Sequence, residues 1–282
     1  MLRTRVITAL VLLPVVLGML FFAPAGAWAL FVLAIALIAC WEWSRMCSLT
    51  RGGQAAYLTA SGAVGAFLWL LYLGLVPGNF VAAALTGFIV ATAFWVLGAP
   101  YWLANRLRPS PSMCAVAGWI VAWPAWLAFV VLRDTSPWLL LALAALVWVA
   151  DIAAYFAGKR FGRHKLAPAV SPGKTWEGVY GAIAGVVLYG AVLAWIANAR
   201  ETPLTRFFDD GAAVVAVLAM VALTAVSVVG DLFESWMKRG AGLKDSSNLL
   251  PGHGGVLDRI DALTSTLPVA ALVLYAGHAA GA

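Results

Sequence analysis

Charge is what this sequence has least of. Of its 282 residues, 18 are Lys or Arg and 12 are Asp or Glu, and just two acidic side chains, Glu42 and Asp134, precede Thr135. Hydrophobic residues make up 63% of the chain and the mean hydropathy is +0.94. So little charge cannot cover a water-soluble surface, and repeated apolar runs near the ~20 residues needed to span hydrocarbon place the chain in a bilayer. Cysteine is scarce as well. Cys40, Cys47 and Cys114 have no metal-ligand spacing, which argues against zinc or a disulfide framework and predicts packed, inert thiols. The chain also lacks a GxxxxGK[ST] loop, a repeat period, a low-complexity tract and any polar stretch long enough for a separate soluble domain.

What remains is a series of apolar runs, roughly 6–23, 26–43, 57–76, 80–99, 113–131, 137–157, 178–197, 211–231 and 263–278. Backbone polar groups in hydrocarbon are satisfied within helices. The expected fold is therefore all-α: a polytopic integral membrane protein of about nine transmembrane helices, one domain over residues 1–282. Residues 1–135 read mainly as scaffold, and 136–282 as catalytic helices and loops. A net charge of +6 can signal nucleic acid, but its placement points elsewhere. Arg3, Arg5, Arg45, Arg51, Arg106, Arg108, Lys159, Arg160, Arg163, Lys165, Lys174, Lys238, Arg239, Lys244 and Arg259 fall on the N-terminus and alternate connections. Only Arg133, Arg200 and Arg206 fall on the others. By the positive-inside rule the N-terminus and the rich loops are cytoplasmic. The segment Met1–Ala27 also has the basic start, apolar stretch and small-residue end of a signal peptide. Its apolar run is long for one, and cleavage would leave the remaining topology unchanged.

Within the first half, tryptophans such as Trp41, Trp43, Trp95 and Trp102 gather near span ends, where an amphipathic ring suits the interface. In WEWSR, Glu42 is expected to pair with Arg45 at helical spacing, with lining of a site as the alternative. The polar information lies on two later loops. Asp151 sits near the end of a span, where a carboxylate costs about 2.5–3.5 kcal/mol at the helix centre and less toward its edge. GKRFGRHKL suits anionic lipid at the surface. In SPGKTWEG, residues 171–178, Ser-Pro-Gly is expected to form a tight turn that sets Lys174 and Thr175 just before a helix N-terminus, a weak phosphate-site signal.

The strip from 238 to 261 packs seven charged residues into 24 positions. Asp231, Glu234, Ser235 and Lys238 share one helical face, and Asp258 and Asp261 share another. Carboxylates gathered in this way repel unless a cation joins them, and Mg²⁺ held by one or two carboxylates plus substrate phosphates is the natural candidate. Lys238, Arg239, Lys244 and Arg259 supply charge to face a polyphosphate. Glycines beside His253 let backbone approach a ligand closely. Attack by an anionic phosphate oxygen needs no base, so His253 reads as structural or phosphate-bonding.

The run S-W-M-K-R-G-A-G-L-K-D-S-S-N-L-L-P-G-H-G-G-V-L-D-R-I-D, Ser235 to Asp261, resembles the signature of the phosphatidate cytidylyltransferases, or CDP-diacylglycerol synthases, as do GDLFES and SPGKTWEG. The resemblance is specific over about residues 148–178 and 228–264. It implies an inner-membrane enzyme acting on CTP and phosphatidate, with Mg²⁺ and K⁺ as the candidate second cation, membrane lipids as partners, a homodimeric form and no nucleic acid. It further implies Asp231, Asp258 and Asp261 as metal ligands, and Lys238, Arg239, Lys244, Asp245 and Arg259 as catalytic residues. Ser171, Lys174, Thr175, Glu177, Ser235, His253, Gly254 and Gly255 would bind substrate. The alternatives are a CTP-dependent lipid kinase, separable by product, and an ion-coupled transporter, whose carboxylates should lie near the midplane. The DG…AR…G…D…D pattern of CDP-alcohol transferases is absent.

Overall fold

The apolar runs fold as helices. The computed structural model of the protein describes residues 2–198 and 212–280, so Arg200 and Arg206 lie outside the described residues. In chain order the elements are α1 (Leu2–Phe22), α2 (Ala25–Ser44), α3 (Arg51–Tyr72), α4 (Phe80–Ala93), a π-helical turn (Phe94–Gly98) and α5 (Ala99–Ala104). There follow α6 (Pro111–Thr135), α7 (Pro137–Phe161), β1 (Lys165–Ala167), β2 (Ser171–Thr175), α8 (Trp176–Asn198), α9 (Ala212–Gly240) and α10 (Leu257–Ala280). Among the described residues eight helices, with Phe80–Ala104 taken as one, are long and apolar enough to cross a membrane. The protein is thus an all-α polytopic membrane protein, and the expected nine spans rest on α10 as the ninth.

Local chemistry explains where the central helices begin. Ser110 and Ser136 each accept a hydrogen bond from a backbone N–H three residues on, at 3.3 and 3.4 Å, and each precedes a proline at the first helical position, where no N–H is needed. Helix α6 runs through the middle of the bundle, with Val121, Trp126, Val130 and Leu132 buried against α2, α4, α7 and α10. Helices α7 and α8 close tightly because Gly178, Gly181 and Gly185 face Ala154, Ala157 and Ala153, leaving no room for a Cβ. Facing small residues are how helices approach in lipid.

Hydrogen bonds gather the basic ends of the bundle on one face. Arg5 Nε donates to the Gly252 carbonyl at 2.9 Å and Thr8 Oγ1 to that of Pro251 at 3.0 Å. Trp236 Nε1 reaches the Leu107 carbonyl at 3.2 Å, joining α9 to the connection before α6. At the other end Arg133 donates to the carbonyls of Leu20 and Ala23, and the Tyr72 hydroxyl to Asp134. The segment that reads as a signal peptide therefore includes a helix bonded to the 251–252 loop, and its small-residue end, Ala25–Ala27, opens α2.

Two expectations are corrected here. Ser-Pro-Gly is not a turn: Ser171–Thr175 pairs antiparallel with Lys165–Ala167, and residues 168–170 make the reversal. Thr175 then ends the strand and caps α8, accepting from Gly178 N at 3.1 Å. The cysteines are not all inert. Cys47 and Cys114 form a disulfide with Cα atoms 5.2 Å apart, while Cys40 stays free and buried. The pairing spans 67 residues and follows from α2 lying along α6, where Trp43 Nε1 donates to the Cys114 carbonyl at 2.7 Å.

Candidate active site

The site is built where the last turns of α9 meet the start of α10. Phe233 fixes the rotation of α9. Its ring sits edge-on to Phe94, Trp95 and Trp102, with centroids 5.3, 5.7 and 5.5 Å away, and stacks on Trp43 at 6.1 Å. One residue on, Glu234 turns inward. One turn further lies Lys238, buried, with Nζ 2.5 Å from both Glu234 Oε2 and Asp258 Oδ1. The other oxygen of Asp258 accepts from Ser246 N, Ser246 Oγ and Gly255 N, each at 2.8 Å. Burial works to raise the Asp258 pKa, but the hydrogen bonds from Lys238 and from the Gly255 and Ser246 N–H groups hold it below the usual carboxylate value.

Glu42 enters from α2 and is fully buried. Its Oε1 accepts from Ser247 Oγ at 2.6 Å and Val256 N at 2.9 Å, and its Oε2 from Leu257 N at 2.6 Å and Ser246 Oγ at 3.1 Å. The expected pairing with Arg45 is not made. Arg45 stacks on Trp41 at 5.3 Å and donates to the Ser246 carbonyl at 3.1 Å. The unpaired N–H groups and positive dipole end of α10 give a buried carboxylate better partners than an exposed guanidinium. Gly255 has to be small at this point, because a Cβ would fall on Ser246 Oγ and Glu42 Oε1. A Cβ on Gly254 would likewise meet Asp258 Oδ2.

A second group lies beside the first. Lys174 Nζ, at the end of β2, is 2.5 Å from Asp231 Oδ2, and Ser235 Oγ donates to Asp231 Oδ1 at 3.3 Å. Asp261 Oδ1 accepts from Ala262 N at 2.8 Å. Burial, and then repulsion from Asp231, push the Asp261 pKa up to about 7. Asp151 on α7 is within electrostatic reach of Asp231 and Lys174. Among the described residues no group of three or more His, Cys, Asp or Glu is arranged to hold a metal ion. The structure therefore does not bring Asp231, Asp258 and Asp261 together as a cage, because both oxygens of Asp258 are taken by Lys238, Ser246 and Gly255. The donor set of Asp231 and Asp261 does fit a hard divalent ion: two oxygen ligands that repel one another, with Lys174 paired to Asp231 and both Lys238 and Lys174 within electrostatic reach of Asp261.

The remaining candidate residues divide by exposure. Arg239, Lys244, Asp245 and Arg259 are exposed, and Arg239 donates to the Leu243 carbonyl at 2.9 Å. Among the described residues none of these four forms a salt bridge. Glu177 is bonded to His164, with Nδ1 at 2.7 Å, and accepts from the His164 N–H at 3.2 Å. Ser171 opens β2 and Thr175 is buried as a helix cap. His253 has a buried Nδ1 with no partner, as does Glu234 Oε1.

Comparison with known proteins gives the family of the chain. The profile of the cytidylyltransferase family matches residues 3–276. The chain belongs to the cytidylyltransferase family. It is 42% identical to the phosphatidate cytidylyltransferase of Pseudomonas aeruginosa over 98% of both chains. To the enzymes of that name from Haemophilus influenzae and Thermotoga maritima it is 35% and 32% identical, over at least 95% of each chain. For this cytidylyltransferase, residue-by-residue reading placed Glu234 among the gathered carboxylates and held lining of a site as the alternative for Glu42, and it missed Ser246 and Ser247. Glu42 had a signal: it is one of two carboxylates in the apolar first half, and an acidic residue in such a segment needs partners. The two serines carried none, since the partner they share, Glu42, lies in a different helix far back along the chain.

Proposed function

We propose that this cytidylyltransferase joins CTP and phosphatidate to give CDP-diacylglycerol and pyrophosphate, at the cytoplasmic face of the bacterial inner membrane. The observation that carries the reading is full-length similarity to phosphatidate cytidylyltransferases in a chain whose buried charges collect at one end of its helices. A diacyl lipid stays in hydrocarbon and a nucleotide triphosphate stays in water, so a reaction between them belongs at that boundary. The one-sided placement of basic loops supports the cytoplasm as the side of that end.

A phosphate oxygen of phosphatidate attacks the α-phosphorus of CTP, and the bond from that phosphorus to the β-phosphate oxygen breaks as pyrophosphate leaves. The attacking oxygen is already anionic near neutral pH, so no general base is required and catalysis rests on positioning and charge. Mg²⁺ held by Asp231 and Asp261 would neutralise charge on the transferred and leaving phosphates. Lys174 lies beside Asp231 and can exchange that partner for a phosphate oxygen. Arg239, Lys244 and Arg259, exposed around the same end, bind the triphosphate. The N-terminus of α10 is filled by Glu42 and Asp258, so phosphate binding falls to these cations rather than to the helix end. K⁺ as a second cation, surrounding membrane lipids and a homodimeric state belong to the same reading.

The test is pyrophosphate release by the purified protein from CTP with and without phosphatidate, in Mg²⁺ and in EDTA. Release that needs phosphatidate and Mg²⁺ together supports the reading. Release indifferent to phosphatidate overturns it.

A further inference from the structure

Among the described residues Glu42 is the most heavily bonded carboxylate that the transfer reaction leaves without a part. It comes from α2, in the half of the chain otherwise made of scaffold. Its two oxygens take four donors from two separated stretches of the signature loop: Ser246 and Ser247 on one side, Val256 and Leu257 on the other. The loop between these stretches is closed on itself by the Leu250–Gly254 bridge, so a single buried side chain joins both of its ends to the bundle. The same donors lead onward. The Ser246 hydroxyl lies between Glu42 Oε2, at 3.1 Å, and Asp258 Oδ2, at 2.8 Å. Ser246 N and Gly255 N bind Asp258, and Asp258 holds Lys238. Asp261 follows one turn later on α10.

We propose that Glu42 is a positioning residue for the transfer reaction: it closes the 246–257 loop against α2 and through it sets Asp258, Lys238 and the first turn of α10. The inference rests on the nucleotidyl-transfer reading of the site. A neutral acceptor does not serve as well, because Ser247 Oγ, Val256 N and Leu257 N, with the one Ser246 hydroxyl proton shared with Asp258, are aimed at two oxygens. Glutamine would supply one acceptor and set an N–H₂ group against two N–H or O–H donors. A carboxylate also complements the positive end of α10. Such a role differs from that of an ordinary buried structural acid, since the loop and the rate should respond while the helices do not.

The test uses the full-length protein in detergent and two variants, Glu42→Gln and the milder Ser247→Ala, which removes one of the four donors and serves if Glu42→Gln does not fold. Two readouts are taken: amide hydrogen exchange by region, and initial rates at varied CTP and phosphatidate. Exchange across 246–257 should speed up by about tenfold or more in Glu42→Gln while the cores of α6 and α9 keep their protection. The turnover number should fall by about tenfold to a hundredfold, with the KM for phosphatidate within about threefold of the parent, since Glu42 makes no proposed contact with that substrate. Ser247→Ala should move both readouts in the same direction by less. Faster loop exchange with unchanged turnover overturns the proposal, because the clamp would then be structural only. Lower turnover with an undisturbed loop also overturns it, as does faster exchange spread over every helix. If the unsubstituted protein forms no CDP-lipid, the functional reading fails, and exchange alone then reports whether Glu42 closes the loop.

Discussion

Replacing Asp261 with Asn tests whether Asp231 and Asp261 are set against each other until a cation arrives. The Asp261 carboxyl ordinarily titrates near 3.8 and here does so at about 7. Between those values the unfolded chain is ionised and the folded one keeps its proton, so stability falls as pH rises and the loss is complete above about pH 7. At about 1.36 kcal/mol per pH unit between those two values, the penalty reaches up to roughly 4 kcal/mol at pH 8. Asn keeps an oxygen for Ala262 N and removes the charge. The variant should therefore be the more stable protein in EDTA at pH 8, by up to that amount, and should converge with the parent near pH 4. Thermal denaturation of both purified proteins in EDTA across this range is the assay. Added Mg²⁺ should then raise the melting temperature of the parent at pH 8 and leave that of the variant nearly unchanged, while product formation by the variant is lost. A variant less stable than the parent at pH 8, or stabilised equally by Mg²⁺, would refute the argument.

Asp258→Asn should behave in the opposite sense. It leaves Lys238 with Glu234 alone and weakens the hold on Ser246 and Gly255, so a stability loss of about 3 kcal/mol is expected along with lost turnover, both measurable by denaturation and initial rates. Lys174→Gln removes the ammonium beside Asp231 and should raise the KM for CTP about tenfold or more, with the helices intact by circular dichroism. Thr175→Ala deletes the cap of α8 at a cost of about 1 kcal/mol and should leave the KM for CTP unchanged, separating a helix cap from a substrate ligand. Alkylation of denatured protein without reductant should label Cys40 alone, and reduction should expose Cys47 and Cys114 to the reagent, read by intact mass.

Much of the architecture could be read from the sequence because it depends on local composition. Apolar runs of span length became helices. The i, i+4 relation of Glu234 and Lys238 also placed them together, since α9 continues past its apolar stretch. What the sequence hid depends on contacts between distant segments. Glu42 looked like a partner for Arg45 on the next turn, and the N–H groups that bind it belong to Val256 and Leu257, where the last helix of the chain opens. The Cys47–Cys114 pair was hidden for the same reason. SPGKT reads as a turn by its residue types, but pairing with Lys165–Ala167 draws it into a strand. Asp258 and Asp261 share a helical face in the sequence pattern. The lysine and loop amides around Asp258 are what separate its role from that of Asp261.

The fate of the nucleotide's phosphates tests the central claim most directly. With purified protein, phosphatidate and Mg²⁺, CTP labelled at the α-phosphorus should pass its label into a lipid product, and CTP labelled at the γ-phosphorus should release its label as pyrophosphate. Label from the γ-position appearing in lipid would contradict the account and identify a lipid kinase instead.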